Sequence, residues 1–245
     1  MNFTTIVDPS SSALVSRIVE KTIDSITQSW LSGKDAHVVL TGGRTGTQIA
    51  QALDDGLANA VELNKELSGQ IILVLHIWFS DERYTSLADE DRTDSKLIAE
   101  FTRAQQANIS IEFHRVSAPD LAPLADGANE YAHDLDVSLG DRHFDVVILS
   151  MGEDGHVASL FPGLTTTSHG TKSAVPVGNS PKPPAERVSI SVDRLAASTK
   201  LYVFALGEGK REALKAFAKE NLGPMALLCE ASSATEIVIA TDLNI

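Results

Sequence analysis

A histidine ends a short glycine-rich segment that also carries two carboxylates. Residues 152–156 read GEDGH and follow closely on the mostly apolar residues 144–149. An imidazole with an ordinary pKa of about 6.5 accepts and returns protons near neutral pH, so His156 is a candidate general base. Asp154 is placed to orient the ring, and Gly155 permits a backbone angle that other residues avoid. These features favour a catalytic histidine over the more common structural one.

A second glycine-rich segment, TGGRTGT at residues 41–47, follows the apolar residues 37–40 and leads into a predicted helix. The backbone N–H groups of Gly42 and Gly43, together with the positive end of that helix, suit an anion such as phosphate. The segment lacks both the GxGxxG spacing of dinucleotide-binding turns and the lysine of a P-loop. On this segment alone, a phosphate cradle and a simple tight turn are equally good interpretations.

Charged residues follow or open three further apolar segments. Asp81 and Arg83 come directly after LVLHIWFS, Lys210 follows KLYVFAL, and Arg187 opens RVSISV. A lysine in the first turn of a helix opposes the helix dipole, so a negative group is expected near Lys210. For each of these residues, a solvated position in an exposed turn is the competing interpretation.

Segments with helical periodicity alternate with apolar segments typical of buried strands, and this alternation predicts an α/β sheet. Because ligands bind at the carboxyl ends of the strands in such sheets, we expect the segments described above to meet at one edge. The predicted helices are residues 10–33, 47–63, 94–104, 121–137 and 207–220. The predicted strands are residues 37–40, 71–79, 144–149, 187–192, 200–205 and 236–240.

The chain is expected to form a single α/β domain over residues 1–245, with a small lobe around residues 110–190. Residues 164–185, rich in Thr, Ser, Gly, Lys and Pro, form the one long segment without a predicted element. A loop of this length in a compact domain is usually functional or mobile. We hypothesise that it closes over a bound ligand.

Composition excludes several classes of function. The net charge of −13 and the pI of about 4.9 argue against nucleic acid or an anionic membrane as partner. With Cys229 as its single cysteine, the chain forms neither an intrachain disulfide nor a Cys₄ or Cys₂His₂ zinc site. Residues 1–20 lack the pattern of a signal peptide, and the longest apolar run, residues 71–79, is too short to span a bilayer. A cytoplasmic protein is expected.

Four blocks of the sequence, taken together, resemble the 6-phosphogluconolactonase family. They cover roughly half of the chain in the family's order, and the block that contains His156 is the most specific. The blocks are VVLTGGRTGTQIAQAL (38–53), HIWFSDERYTSLADEDRTDSKLI (76–98), FDVVILSMGEDGHVASLFPG (144–163) and KPPAERVSISVDRLAASTKLYVFALGEGKREAL (182–214).

The resemblance implies a Rossmann-like three-layer α/β/α sheet, shared with glucosamine-6-phosphate deaminases and ribose-5-phosphate isomerase-like proteins. It implies hydrolysis of 6-phospho-D-glucono-1,5-lactone to 6-phosphogluconate, the second step of the pentose phosphate pathway, with no metal and no organic cofactor. The expected partner is this small sugar-phosphate lactone, bound by a monomer or a homodimer.

The resemblance also implies roles for individual residues. His156 activates water against the lactone carbonyl, and Asp154 fixes the tautomer of the ring. Asp81, the third catalytic candidate, either orients Arg83 or contacts sugar hydroxyls. The residues expected to hold the phosphate are Gly42, Gly43, Arg44, Thr45, Arg83, Arg187 and Lys210.

The first loop departs from the family pattern. Where the family usually has Gly-Gly-Ser-Thr-Pro, residues 42–46 read GGRTG. A hydroxyl donor is replaced by Arg44, which either contributes charge or points to solvent, and the rigidity of the proline is lost. The departure concerns phosphate binding rather than the reaction.

Three rival functions fit the sequence less well. A glucosamine-6-phosphate deaminase follows its Asp-Gly-His motif with a glutamate, whereas no carboxylate follows His156 before Glu186. A non-catalytic sugar-phosphate sensor needs the phosphate loop but has no need of His156. A serine hydrolase is disfavoured because no G-x-S-x-G motif occurs in the chain.

Overall fold

The computed structural model describes residues 3–64, 73–164, 169–170 and 172–244. The strands are β1 (Thr4–Val7), β2 (Ala36–Leu40), β3 (Leu73–Phe79), β4 (Asp81–Arg83), β5 (Ile109–His114), β6 (Phe144–Ser150), β7 (Ala174–Val177), β8 (Arg187–Ile190), β9 (Ser198–Ala205) and β10 (Glu236–Thr241). The helices are α1 (Ser11–Leu31), α2 (Gly43–Leu63), α3 (Thr93–Ile98), α4 (Arg103–Gln106), α5 (Leu124–Ser138), α6 (Val192–Ala196), α7 (Arg211–Lys215) and α8 (Pro224–Ala231). A 3₁₀ turn, Glu208–Lys210, precedes α7, and a π-helical turn, Ala216–Glu220, follows it.

Seven of these strands form one parallel sheet in the order β1-β10-β9-β6-β2-β3-β5. From β2 the chain proceeds outward through β3 to β5, and from β6 it proceeds in the opposite direction through β9 to β10. The sheet therefore has its topological switch point between β2 and β6. Ligands bind in the crevice at such a point, outside the carboxyl ends of the strands.

The strands of the sheet are buried on both faces. In β2, Val38 and Leu40 pack into one hydrophobic core with α1 and α2, while Val39 packs into the other with α5, α6 and α8. This burial explains why the central strands are continuous apolar runs rather than alternating ones. The predicted three-layer α/β/α architecture is confirmed.

A second, small antiparallel sheet has the order β4-β8-β7 and packs beside α5. We expected residues 187–192 to form a half-exposed strand, and this was wrong. All four residues of β8 are buried because the strand is paired on both sides and covered by α5. The segment 164–185 was also predicted to be irregular, yet it contains β7; its residues 165–168 and 171 lie outside the described part of the chain.

The predicted helix over residues 94–104 is two short helices, α3 and α4. The carboxylate of Asp54, on α2, accepts hydrogen bonds from the backbone N–H groups of Thr102, Arg103 and Ala104 at 2.8–3.1 Å. A carboxylate at these N–H groups favours a helix start, so α4 begins where a continuous helix was expected.

The other predicted elements agree with the structure to within a few residues, with α2 beginning at Gly43 rather than at residue 47. Residues 71 and 72 of the predicted third strand lie outside the described residues. Within residues 3–64, 73–164, 169–170 and 172–244, no helix is both long and apolar enough to cross a membrane.

Candidate active site

The turn after β6 places the ring of His156 directly against the backbone of Gly152. The Gly152 N–H donates to the carbonyl of His156 at 2.7 Å, and Gly155 adopts a left-handed φ of +82° that closes the turn. A Cβ atom at position 152 would lie 2.0 Å from His156 Nδ1. Both glycines are therefore required, Gly155 by its backbone angle and Gly152 by the close approach of the imidazole.

The ring of His156 is held in one orientation by Asp154. His156 Nδ1 lies 2.5 Å from Asp154 Oδ1, and the ring of Phe161 packs on the imidazole with 4.5 Å between ring centroids. Because an ionised carboxylate only accepts hydrogen bonds, Nδ1 carries the proton and Nε2 has the free lone pair. Burial lowers the pKa of His156 below 6.5, and the charge of Asp154 opposes this shift in part. The imidazole is therefore a neutral base at pH 7.

The loop after β2 presents free backbone N–H groups at the start of α2. Gly42 is the N-cap residue, and no side chain forms a capping hydrogen bond there. Gly43 adopts a left-handed φ of +71°, and a Cβ atom on Gly46 would lie 2.0 Å from the carbonyl oxygen of Thr41. The uncapped N–H groups and the positive end of a 21-residue helix are suited to bind an anion.

These two turns open into one cavity of about 170 Å³ outside the carboxyl ends of the strands. Four basic side chains line it, together with residues from each of the segments predicted to meet at this edge of the sheet. Its lining includes Gly42, Gly43, Asp81, Arg83, Thr93, Ser150, Gly152, His156, Lys182, Arg187 and Lys210. In a chain of net charge −13, this local collection of cations indicates an anionic ligand.

Arg83 and Arg187 lie directly opposite each other in the pairing of β4 with β8. Like charges at such positions destabilise a sheet, and the proximity of Arg83 contributes to a lowered pKa for Arg187, although burial is the larger cause. An anion bound between the two guanidinium groups relieves this repulsion. The pair therefore favours a phosphate at this end of the cavity.

Arg187 is buried, and most of its donors are already used. Its Nε and Nη2 atoms donate to backbone carbonyl oxygens of Lys182, Pro183 and Pro184 at 3.1–3.2 Å. Its Nη1 atom lies 3.6 Å from Asp81 Oδ2. This arrangement leaves Nη1 as the donor available on the side of Asp81.

Asp81 contacts Arg187 and two serines rather than Arg83. Its Oδ2 accepts from the Ser159 hydroxyl at 2.5 Å, and its Oδ1 accepts from Ser80 at 3.1 Å. Arg83 donates instead to the carbonyl of Asp91 at 2.8 Å. Antiparallel pairing brings the β8 arginine to this carboxylate, so the described contacts of Asp81 favour Arg187 over Arg83 as the arginine that it orients.

Arg44 and Thr45 face an adjoining cavity of about 460 Å³. This second cavity shares Gly42, Gly43, Ser150 and Lys210 with the first, but His156 is not among its lining residues. The structure therefore separates Arg44 and Thr45 from Arg83 and Arg187, which line the cavity on the other side of the glycine loop. Arg44 itself is exposed.

The sequence of the chain matches, over residues 9–238, the model of a family described as glucosamine-6-phosphate isomerases/6-phosphogluconolactonase. The chain belongs to the glucosamine-6-phosphate isomerase/6-phosphogluconolactonase family. A 6-phosphogluconolactonase of Streptomyces coelicolor is 31% identical over 218 residues, which cover 82% of this chain and 76% of that protein. One from Mycobacterium tuberculosis is 27% identical over 223 residues, with 85% and 83% covered.

Solved structures of the family have the same fold. A 6-phosphogluconolactonase from Trypanosoma brucei superimposes with a TM-score of 0.78 at 19% identity, covering 98% of this chain and 96% of that one. One from Shewanella baltica gives a TM-score of 0.74 at 21% identity, with the same coverage. These similarities support the three-layer fold.

Several residues that line or support the cavity were not predicted from the sequence. Lys182, which is not among the site residues predicted from the sequence, lies 3.3 Å from Asp154 Oδ1 and lines the cavity. Thr93 and Ser150 also line it, and Ser159 holds Asp81. The segment Lys182-Pro-Pro, just before the strand that Arg187 opens, was the one available signal for Lys182.

A larger cavity, of about 440 Å³, lies at the amino ends of β2, β6 and β9. Its lining residues include Asp35, Arg142 and Asp145, and no glycine-rich turn contributes to it. In this family's α/β sheet, ligands are expected at the opposite end of the strands. The smaller cavity beside His156 is therefore the candidate active site.

Proposed function

We propose that the chain hydrolyses 6-phospho-D-glucono-1,5-lactone to 6-phospho-D-gluconate in the pentose phosphate pathway. Family membership restricts the choice to sugar-phosphate chemistry, and the similar curated proteins are 6-phosphogluconolactonases. The observation that carries the proposal is the His156–Asp154 pair facing the same cavity as Arg83, Arg187 and Lys210. A base and an anion-binding group in one cavity are what the hydrolysis of a phosphorylated lactone requires.

In the proposed mechanism, His156 acts as the general base. Its Nε2 atom takes a proton from a water molecule whose oxygen attacks the lactone carbonyl carbon, while Nδ1–H stays bonded to Asp154. The tetrahedral intermediate collapses when the bond from this carbon to the ring oxygen breaks. The imidazolium then returns its proton to the ring oxygen, which becomes a hydroxyl group, and the new carboxylic acid ionises. Proton transfer of this kind contributes about 10²–10⁴-fold to a rate.

The phosphate is the group that positions the lactone. We place it among the Gly42 and Gly43 N–H groups, Arg83, Arg187 and Lys210, because these donors converge on the cavity. Binding energy at a group remote from the reacting carbon holds the carbonyl within reach of His156. Lys182 and Thr93, which line the same cavity, are additional donors in this proposal.

Arg44 and Thr45 line the adjoining cavity, so their proposed contact with the phosphate differs from that of Arg83 and Arg187. They approach the phosphate from the far side of the glycine loop, through Gly42, Gly43 and Lys210, which line both cavities. We assign Asp81 to hold Nη1 of Arg187 and to accept hydrogen bonds from sugar hydroxyls, since Ser80 and Ser159 already fix its carboxylate.

The direct test follows the loss of freshly prepared 1,5-lactone by wild type and by His156→Ala against the spontaneous background. We expect fast hydrolysis by wild type and a decrease of about 10²–10⁴-fold in kcat for the variant, because the base is lost. The variant should still bind 6-phosphogluconate. His133→Ala, at an exposed histidine of α5, is the matched control and should retain full activity.

Two results would contradict the proposal. Wild-type enzyme that is no faster than buffer would exclude the lactonase reaction, and glucosamine 6-phosphate would then be the substrate to assay. A fully active His156→Ala enzyme would keep the reaction but remove His156 from its assigned role, leaving Asp81 as the next candidate.

A further inference from the structure

Two histidines and a glutamate come together on the edge of the parallel sheet, away from the cavity of His156. His76 on β3 is paired with Glu112 on β5, and His114 lies two residues further along β5, so the three side chains share one face. One potential ligand atom from each lies within 4.8 Å of the other two. None of the three is among the residues that line the candidate active site.

Stacking on a neighbouring aromatic ring fixes the plane of each imidazole. His76 stacks on His37 with 4.1 Å between centroids and an interplanar angle of 1°, and His114 stacks on Trp78 at 3.6 Å and 6°. The planes of the two ligand rings are therefore set by the sheet itself. A site whose ligands are oriented in advance loses little side-chain entropy when it binds.

Each ring also has a carboxylate beside the nitrogen that does not face the cluster. His114 Nδ1 lies 2.7 Å from Asp134 Oδ2, and His76 Nε2 lies 3.9 Å from Asp35 Oδ2. A carboxylate at hydrogen-bond distance, as Asp134 is, fixes the tautomer of a metal-binding histidine and makes the opposite nitrogen a better ligand, whereas Asp35 at 3.9 Å contributes only its charge. The nitrogens that face the cluster are His114 Nε2 and His76 Nδ1, which are hydrogen-bonded to each other at 2.9 Å.

We propose that His76 Nδ1, His114 Nε2 and Glu112 Oε2 bind a divalent transition metal ion of the Zn²⁺ type, with water as the fourth ligand. The distances of 2.9 Å between the two nitrogens and 3.5 Å between His76 Nδ1 and Glu112 Oε2 bracket the required spacing. Tetrahedral zinc with bonds of about 2.0–2.1 Å needs ligand atoms about 3.3 Å apart. The two nitrogens therefore need to move only slightly apart for both to bind the ion.

Access and charge fit this occupant. The Glu112 side chain is 55% exposed while the two histidines are each 10% exposed, so the site is open to solvent mainly on the side of its carboxylate. Without metal, one nitrogen of the facing pair carries a proton and donates a hydrogen bond to the other nitrogen. Metal binding moves the Nδ1 proton of His76 to Nε2, on the side of Asp35, and replaces the hydrogen bond between the two rings with two bonds to the ion.

The expected consequence is structural, because the ion ties the edge strand β5 to β3. This proposal differs from the expectation, made from the sequence, that the protein has no metal. A ligand that binds only the folded state raises its stability. Bound Zn²⁺ should raise the Tm and slow hydrogen exchange along β5.

The test measures metal binding on the full chain after dialysis against a chelator. Co²⁺ is added as a spectroscopic probe, visible absorption reports tetrahedral coordination, Zn²⁺ is used to compete it away, and metal analysis gives the stoichiometry. Glu112→Gln changes an exposed side chain and so preserves the fold, and His114→Asn removes the second ligand. His133→Asn is the control for a surface histidine, and His156→Asn tests for binding at the active site instead.

We expect one metal ion per chain in wild type, His133→Asn and His156→Asn, with binding lost or weakened at least tenfold in Glu112→Gln and His114→Asn. Asp134→Asn, which removes only the orienting carboxylate, should weaken binding about 10–100-fold. The proposal is overturned if wild type binds no stoichiometric metal, if Glu112→Gln and His114→Asn bind as well as wild type, or if His156→Asn abolishes binding.

Discussion

Two immediate partners hold the ring of His156 at the cavity. Asp154 fixes one ring nitrogen, and Phe161 covers one face of the ring. Burial and the nearby charge of Lys182 lower the pKa of the imidazole, while Asp154 raises it, and the lowering prevails. The ring is therefore kept unprotonated, which is the form that a general base needs at neutral pH.

The pH dependence of kcat/KM should report this balance. Because the neutral ring is the active form and its pKa lies below 6.5, activity should hold at pH 7 and fall as the pH decreases through that lowered value. In Asp154→Asn, the anion that favours the imidazolium is absent, so the acidic limb should move to still lower pH. Its kcat should fall by no more than the roughly 10²–10⁴-fold that proton transfer supplies.

Rate measurements over pH 4–8 with both proteins test this prediction. An acidic limb that moves to higher pH in Asp154→Asn would contradict the assigned partner, because loss of a negative neighbour does not raise the pKa of a histidine.

At the scale of the element, the turn after β6 works only with a glycine at position 152. In Gly152→Ala, the new Cβ must displace the imidazole, since it would lie 2.0 Å from Nδ1 and 2.6 Å from the carboxylate of Asp154. We expect kcat to fall by about 10²-fold or more, because small misplacement of a catalytic group has this effect. Gly178→Ala is the matched control, as nothing lies within 4 Å of that position.

Circular dichroism and thermal unfolding of both variants separate a displaced histidine from a damaged fold. Equal, near-wild-type activity of Gly152→Ala and Gly178→Ala would show that the turn tolerates a side chain and that the geometry of His156 is not critical.

The segment between β4 and α3 is held by a buried network of charges. Arg92, fully buried, donates to Asp94 at 2.7 Å, and Glu82 accepts from the backbone N–H groups of Thr93 and Asp94. Burial raises the pKa of Asp94, but hydrogen bonds from Arg92 and Arg115 outweigh it and lower the pKa to about 2. The network places Thr93 against Gly42 at the cavity.

Asp94→Asn should therefore be strongly destabilising. It removes the carboxylate that pairs with the buried guanidinium of Arg92, and breaking a buried pair in this way typically costs about 3–5 kcal/mol in the free energy of unfolding. Urea unfolding at pH 7 measures the loss, and Asp55→Asn, which breaks an exposed pair with Arg103, is the control with a much smaller effect. Equal losses in the two variants would contradict the structural role of the buried pair.

At the scale of the whole molecule, the candidate site draws on both sheets. His156 and the glycine loop follow strands of the parallel sheet, whereas Arg83 and Arg187 belong to the small antiparallel one. A ligand in the cavity therefore connects the two sheets, and the switch point between β2 and β6 provides the space for it.

Binding of 6-phosphogluconate should accordingly stabilise the entire fold. At a concentration of 100 times Kd, the expected gain in the free energy of unfolding is about 2.7 kcal/mol. Hydrogen exchange should slow both at the start of α2 and along β4 and β8. Protection confined to a single sheet would contradict a site that both sheets build, and Lys210→Met should reduce the stabilisation at any fixed ligand concentration.

Local sequence determined much of this protein. Continuous apolar runs predicted most of the parallel strands, because a strand buried on both faces has no polar face to alternate with. The short strands β1, β4, β5 and β7 were missed. All four lie at the edge of a sheet, where burial is incomplete and the apolar signal is weaker.

The residue types and spacing within residues 152–156 likewise indicated the histidine, its carboxylate and the turn, because the contacts among them are formed within five residues. What only the tertiary structure decided was which distant residues meet. The pairing of Arg83 with Arg187 and the contact of Ser159 with Asp81 join segments separated by 104 and 78 residues. The positions of Lys182 and of the histidines on β3 and β5 were decided in the same way. Strand register and sheet packing determine such contacts, and neither can be predicted from local periodicity.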